Sequence, residues 1–174
     1  MLASASYKTL FDRMLGASLL ENEVYEQAAI DASTRTQATL AVIVTAFAAG
    51  VGALGGGLTG FVLGAGGAIA GWIIYVLATY WVATKRFAVP PTISNLNATV
   101  RSLGLASSPR VFLFLTLVPE VGLLVGLFVH AWALIASVLA VRTALDMELR
   151  PAVLTAAAGW TPMLVVWALA YVIA

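Results

Sequence analysis

An all-α polytopic membrane bundle with five crossings is the fold class this sequence predicts, and three observations predict it. Hydrophobic residues fill 61% of the 174 positions and charged residues only 10%, whereas soluble domains run near a quarter charged. Nine basic and eight acidic side chains cannot cover the exposed surface of so small a domain, so most of that surface meets lipid. The apolar residues gather into runs of crossing length, and the basic residues fall at alternate boundaries of those runs.

Residues 1–37 read as a cytoplasmic segment and 38–174 as the membrane domain. Lys8 and Arg13 are followed by acidic polar sequence instead of an apolar run, so no cleavable signal peptide is predicted. Within 6–20, Leu10, Phe11, Met14 and Leu15 recur at helical spacing, which suits either a helix lying in the membrane interface or one packed on the bundle. Asp31 and Ser33 are helix-capping residues placed just before the first crossing, 38–54. A glycine-dense link leads to the second crossing, 61–83, which ends at Lys85 and Arg86. Gly52 and Gly56, Gly60 and Gly64, and Gly67 and Gly71 stand four apart, a spacing that lets helix backbones approach closely. A tight hairpin of these two helices is therefore expected, with a homodimer seam as the competing use. Tyr80 and Trp81 beside Lys85 fit an interfacial aromatic belt.

Pro90 and Pro91 break the chain, and Ser94 or Asn95 can cap a helix near 93–105. Ile93, Leu96, Val100 and Leu103 line one side of that helix, with Asn95, Asn97, Thr99 and Arg101 between them. It reads as a second surface-lying amphipathic helix. Pro109 to Arg142 is too long for one crossing and slightly short for two. Charge decides the matter. With crossings at 109–119 and 121–142 and the N-terminus inside, all nine basic residues lie on the cytoplasmic face and Glu120 alone lies outside. A four-crossing arrangement would strand Arg142 and Arg150 outside. The last crossing, 151–173, opens at Pro151 and should bend near Gly159 and Pro162.

The same residues narrow the chemistry. No basic stripe interleaved with aromatics points to nucleic acid. Zero cysteines exclude disulfides and thiolate metal sites, and the single His130 excludes any site needing two imidazoles from one chain. No phosphate-binding, zinc-protease, nucleophile-elbow or kinase motif occurs, so no catalytic residue and no cofactor is assigned. His130 falls near the middle of the fourth crossing, where an ionisable group suggests a proton relay, an ion site or an axial ligand. The blander reading is an interior histidine hydrogen-bonded to Thr45, Thr79 or Tyr75. Glu120 is a pore-mouth carboxylate or simply the charge that marks where an outer turn meets water. Arg101, Arg142, Asp146 and Arg150 share the cytoplasmic face and form a candidate docking surface, or a solvated loop with helix-end pairs.

Several stretches resemble the Ypt-interacting-protein (Yip) family, specifically its short prokaryotic members. They are Val24, Tyr25 and Glu26; Asp31 and Ser33; Gln37 and Ala38; the run Val100 to Pro109; Trp132 and Leu134; Arg142, Ala144 and Leu145; and Arg150 with Ala152. Leu105 departs from the pattern where an aromatic is usual, as do Glu148, Leu149 and Pro151. The resemblance implies five crossings with a cytosolic N-terminus. Its eukaryotic members are linked to prenylated GTPases through a cytosolic region this chain lacks, so that activity is not carried over. The functional expectation is a non-catalytic scaffold or accessory subunit, set among membrane lipids and binding another integral membrane protein or itself, in a bacterial inner membrane. A small oligomeric transporter or channel, or a pigment- or haem-binding subunit using His130, is the alternative.

Overall fold

The structure, a computed structural model, describes residues 9–87 and 95–173. Lys8, Pro90, Pro91, Ile93 and Ser94, which entered the expectations above, lie outside them. Every described element is helical: α1 (Leu10–Ser18), α2 (Asn22–Ile30), α3 (Arg35–Gly52), α4 (Gly57–Arg86), α5 (Leu96–Ala106), α6 (Pro119–Ala144) and α7 (Leu149–Ile173), with short 3-10 turns at Ala32–Thr34 and Leu54–Gly56 and a long 3-10 helix at Ser108–Leu117. Three stretches, Ala32–Gly52, Leu54–Arg86 and Pro119–Ala144, are long and apolar enough to cross a membrane.

Helix ends follow local chemistry. Thr9 caps α1 by accepting from the Asp12 N–H, and the Asp12 carboxylate accepts from the Thr9 N–H, closing a capping box. Those two bonds, the Thr9 side chain first, hold the Asp12 carboxyl below the usual carboxylate range. α1 ends with Leu20 in the left-handed region at φ 63, where Leu20 and Glu21 donate to the Ala17 and Gly16 carbonyls. This is a Schellman closure built without glycine. α6 ends similarly, with Asp146 at φ 47 and the Met147 N–H donating to Arg142 O at 3.0 Å. Asn95 starts α5 by accepting from the Asn97 and Ala98 N–H groups.

Small residues bring the helices together. α6 turns Ala133, Ala136, Ala140 and Ala144 inward and leaves Leu123, Leu124, Leu127 and Phe128 outside. In hydrocarbon such exposure costs nothing, and association depends on close packing. The α3–α4 hairpin closes in the same way. A Cβ at Gly64 would lie 2.9 Å from Ala49 O, and one at Gly60 would strike the Ala53 carbonyl. On α3, Gly52 backs onto the Leu113 carbonyl and the Thr116 hydroxyl of the long 3-10 helix.

The region around α5 departs from the expected surface helix. Residues 101–110 are all buried, and α5 packs among α2, α3 and α6. Apart from Arg101 its buried polar residues, Thr99 and Ser102, are small, and just beyond its end Ser107 and Ser108 return their hydroxyls to the Gly104 and Leu105 carbonyls at 2.6 Å each. A face of Thr and Ser can thus be buried where a face of Lys and Glu could not. α1 does show the amphipathic pattern. Phe11, Leu15 and Leu19 are exposed at four-residue spacing, whereas Arg13, Gly16 and Ala17 face inward.

Candidate functional site

The cytoplasmic docking candidates do not form one surface. Arg142, Asp146 and Arg150 are exposed, but Arg101 is only 6% exposed. Its Nε donates to Ala28 O and its Nη2 to Ala29 O, each at 2.6 Å. These carbonyls end α2, where the helix leaves acceptors unsatisfied and its dipole is negative. The planar guanidinium fork meets both at once. Arg101 therefore clamps α5 to α2 and is not available for docking. Asp31 follows directly at the α2 C-cap. The Ser33 hydroxyl and N–H, with the nearby charges of Arg13 and Arg101, hold its carboxyl below the usual range. Tyr25 completes the α1–α2 unit by donating to Ala17 O at 2.7 Å, and burial pushes its phenol pKa up. Asp146 occupies the left-handed position that closes α6, a role that suits Asp and needs no partner protein.

The most deeply buried of the three buried arginines, Arg13, Arg101 and Arg110, is Arg110, expected on the cytoplasmic face but 4% exposed inside the bundle. Its guanidinium carbon lies 5.5 Å from the ring centre of Trp160 on α7, within cation–π range. Trp160 is the hub of an aromatic group. Tyr75 of α4 meets it edge-on at 6.2 Å and His130 of α6 meets it edge-on at 6.0 Å. Thr79 and Ser137 stand around the Tyr75 hydroxyl. Gly159, next to Trp160, lets α7 approach, since a Cβ there would lie 2.9 Å from Tyr75 Cε2 and strike the Thr79 hydroxyl. Four elements thus converge: α4, the 3-10 helix, α6 and α7.

His130 is held by its own helix. Its Nδ1 lies 2.6 Å from Gly126 O, and because a carbonyl only accepts, Nδ1 carries the proton. Of the hydroxyl residues expected near this histidine, Thr45 bonds Val42 O and Ser107 Oγ, while Tyr75 shares with His130 an edge-on contact to Trp160. Glu120 is exposed in the first turn of α6, behind Pro119, where a carboxylate complements the helix dipole. No family model, curated protein or solved structure matches this chain. The site is read from its geometry alone.

Of the six glycines expected to pack, Gly52, Gly60 and Gly64 meet neighbouring backbone, Gly71 is buried and Gly67 is half-buried. Gly56 faces open space in the turn. Among the described residues no group of three His, Cys, Asp or Glu could hold a metal ion. Arg110 is a permanent cation, so the cluster offers a fixed positive charge, an imidazole and several hydroxyls within a low-dielectric interior. One sequence signal announces it. Arg110 and Glu120 are ten residues apart, about 15 Å of α-helix or half the hydrocarbon thickness. They cannot mark opposite surfaces of an α-helical crossing.

Proposed function

We propose that this chain is a five-crossing integral membrane protein that works as a non-catalytic accessory subunit or scaffold. It binds a helix of another membrane protein, or of a second copy, through the outer face of α4. The observation that carries this reading is the poor burial of α4. Only 17% of its most apolar stretch is buried, against 39% and 33% for the other two long apolar helices. On its outer face Gly66 and Ala70 are exposed four residues apart, and no atom lies within 4 Å of where a Gly66 Cβ would stand. Val62, Ile69, Ile73 and Leu77 flank them. Small residues at this spacing are what a second helix packs against in lipid.

In this reading the crossings are α3, α4, α5 with the long 3-10 helix, α6 and α7. Eleven α-helical and ten 3-10 residues make about 35 Å together, enough for the roughly 30 Å core, because 3-10 winding rises about 2 Å per residue. Exposed Arg35, Lys85, Arg86, Arg142 and Arg150 then share the cytoplasmic side. The outward stripe of Phe11, Leu15 and Leu19 makes α1 an interfacial helix. Membership of the Yip family belongs to the same proposal, as does an inner-membrane location with the N-terminus cytoplasmic.

Affinity purification of the tagged chain in mild detergent, with mass spectrometry and mass photometry, tests the function. A stoichiometric membrane partner or a defined homo-oligomer is expected, and Gly66→Ile should abolish it without unfolding the chain. A stable monomer that brings down nothing would contradict the proposal. The Arg110 cluster supports a second reading, a small transporter or channel, because a charge from the 3-10 helix and hydroxyls from α4 and α6 would lie together at membrane depth in the five-crossing arrangement. Liposome flux unchanged by Arg110→Met and His130→Ala would remove its motive. The haem or pigment reading has less support, since the Trp160 ring already stands beside the imidazole; visible absorbance of the purified chain decides it.

A further inference from the structure

On the opposite side of the same helix pair, the long 3-10 helix and α6 leave a groove of about 390 Å³, within the size range of small-molecule sites. Phe112, Leu115, Leu124, Val125, Phe128 and Trp132 line it. Its floor is aromatic: Phe112 stacks on Trp132 at 5.8 Å with 11° between the planes, and Phe128 leans on Trp132 at 5.7 Å. The Trp132 indole N–H donates to Ser18 O at 2.8 Å, which pins the end of α1 at that end of the groove. Thus the one polar atom that an occupant might have used on Trp132 is already engaged.

We infer that this groove holds one acyl chain of a bilayer lipid as a resident ligand. The inference rests on α6 crossing the membrane, as proposed above. An extended peptide would bring unsatisfied backbone N–H and C=O groups into a wholly apolar lining at several kcal/mol each, and a helix, about 10 Å across, is too wide for a groove of this volume. An acyl chain brings none. Leu124 and Trp132 are eight residues apart on α6, about 12 Å along the helix axis, so the groove runs lengthwise, as lipid chains do. Its Leu124 end lies toward Glu120 and its other end meets α1. The lipid therefore comes from the leaflet on the Glu120 side, with its chain terminus toward Trp132.

The test is photo-crosslinking of the full chain in vesicles containing a phosphatidylcholine with a diazirine near the end of one acyl chain, mapped by peptide mass spectrometry. Ile43 and Phe47 on α3, similarly exposed and outside the proposed α4 seam, report ordinary surrounding lipid. The expected result is labelling at Leu115 and Phe128 about fivefold above those controls, reduced to their level by Leu124→Trp and untouched by Ile43→Trp. Equal labelling at groove and control positions overturns the inference while the membrane reading stands, and so does labelling that Leu124→Trp leaves unchanged. Labelling at neither place overturns both.

Discussion

Arg101 and Arg110 lie nine residues apart on consecutive helical segments, and both are buried. Arg101 spends its charge on two backbone carbonyls at the end of α2. Arg110 lies against the Trp160 ring of α7, with the His130 imidazole and hydroxyls from α4 and α6 nearby. The first arrangement satisfies groups that would otherwise be orphaned, which is a structural use. The second sets a costly charge against the Trp160 ring that Tyr75 and His130 also meet. Burial alone therefore does not separate a clamp from a site; the partners do.

Replacing each arginine should break or sharpen this contrast. Arg101→Ala leaves two buried carbonyls without their charged donor and should cost about 3 kcal/mol, read as a lower thermal midpoint in detergent. Arg101→Lys should recover less than half of that, because one ammonium cannot reproduce the fork. Arg110→Met should change stability by no more than about 1 kcal/mol, since an apolar side chain of similar volume avoids the desolvation cost. If Arg110→Met proves as damaging as Arg101→Ala, both arginines are clamps and the contrast is lost.

Acid should separate the two regions further. Asp31, beside Arg101, and Asp12, in the α1 capping box, have carboxyls held low in the folded chain. Their contribution is fully present above the ordinary carboxylate pKa of about 3.9 and is lost as pH falls through the lowered folded values. Protection of the α1 and α2 amides, relative to the intrinsic exchange rate at each pH, should therefore fall below about pH 4 before that of α6 around His130 does. Simultaneous loosening would mean that the α1–α2 unit has no stability of its own. The smallest effect is expected outside both regions. Asp146→Gly relieves a left-handed residue and should raise stability by about 0.5 kcal/mol or less, measured as a denaturation midpoint.

Much of this arrangement was legible in the sequence. The ends of the long apolar helices were visible from Lys85, Arg86, Pro119 and Arg142, the α5 cap from Asn95, and the hairpin contacts from Gly60 and Gly64. The burial of α5 was not legible, because Asn95, Asn97, Thr99 and Arg101 read as a wet face, whereas Thr99 is fully buried and donates to the Asn95 carbonyl one turn earlier. Arg101 looked like a solvated charge because its partners, the carbonyls of Ala28 and Ala29, belong to the backbone and leave no mark in side-chain pattern. Arg110, next to Pro109 at the start of an apolar run, looked like a boundary marker. Only its short distance to Glu120 hinted otherwise.

The proposed five-crossing arrangement underlies the reading of both the Arg110 cluster and the apolar groove, and the chain has no cysteine to complicate its test. Single cysteines introduced as Glu120→Cys and Glu148→Cys, at exposed positions flanking α6, can be treated with a membrane-impermeant maleimide on intact cells. The account predicts labelling of position 120 from outside and of position 148 only after permeabilisation. The reverse pattern would contradict the account, because either the whole topology is inverted or the long 3-10 helix does not cross and Arg110 lies outside any transmembrane interior.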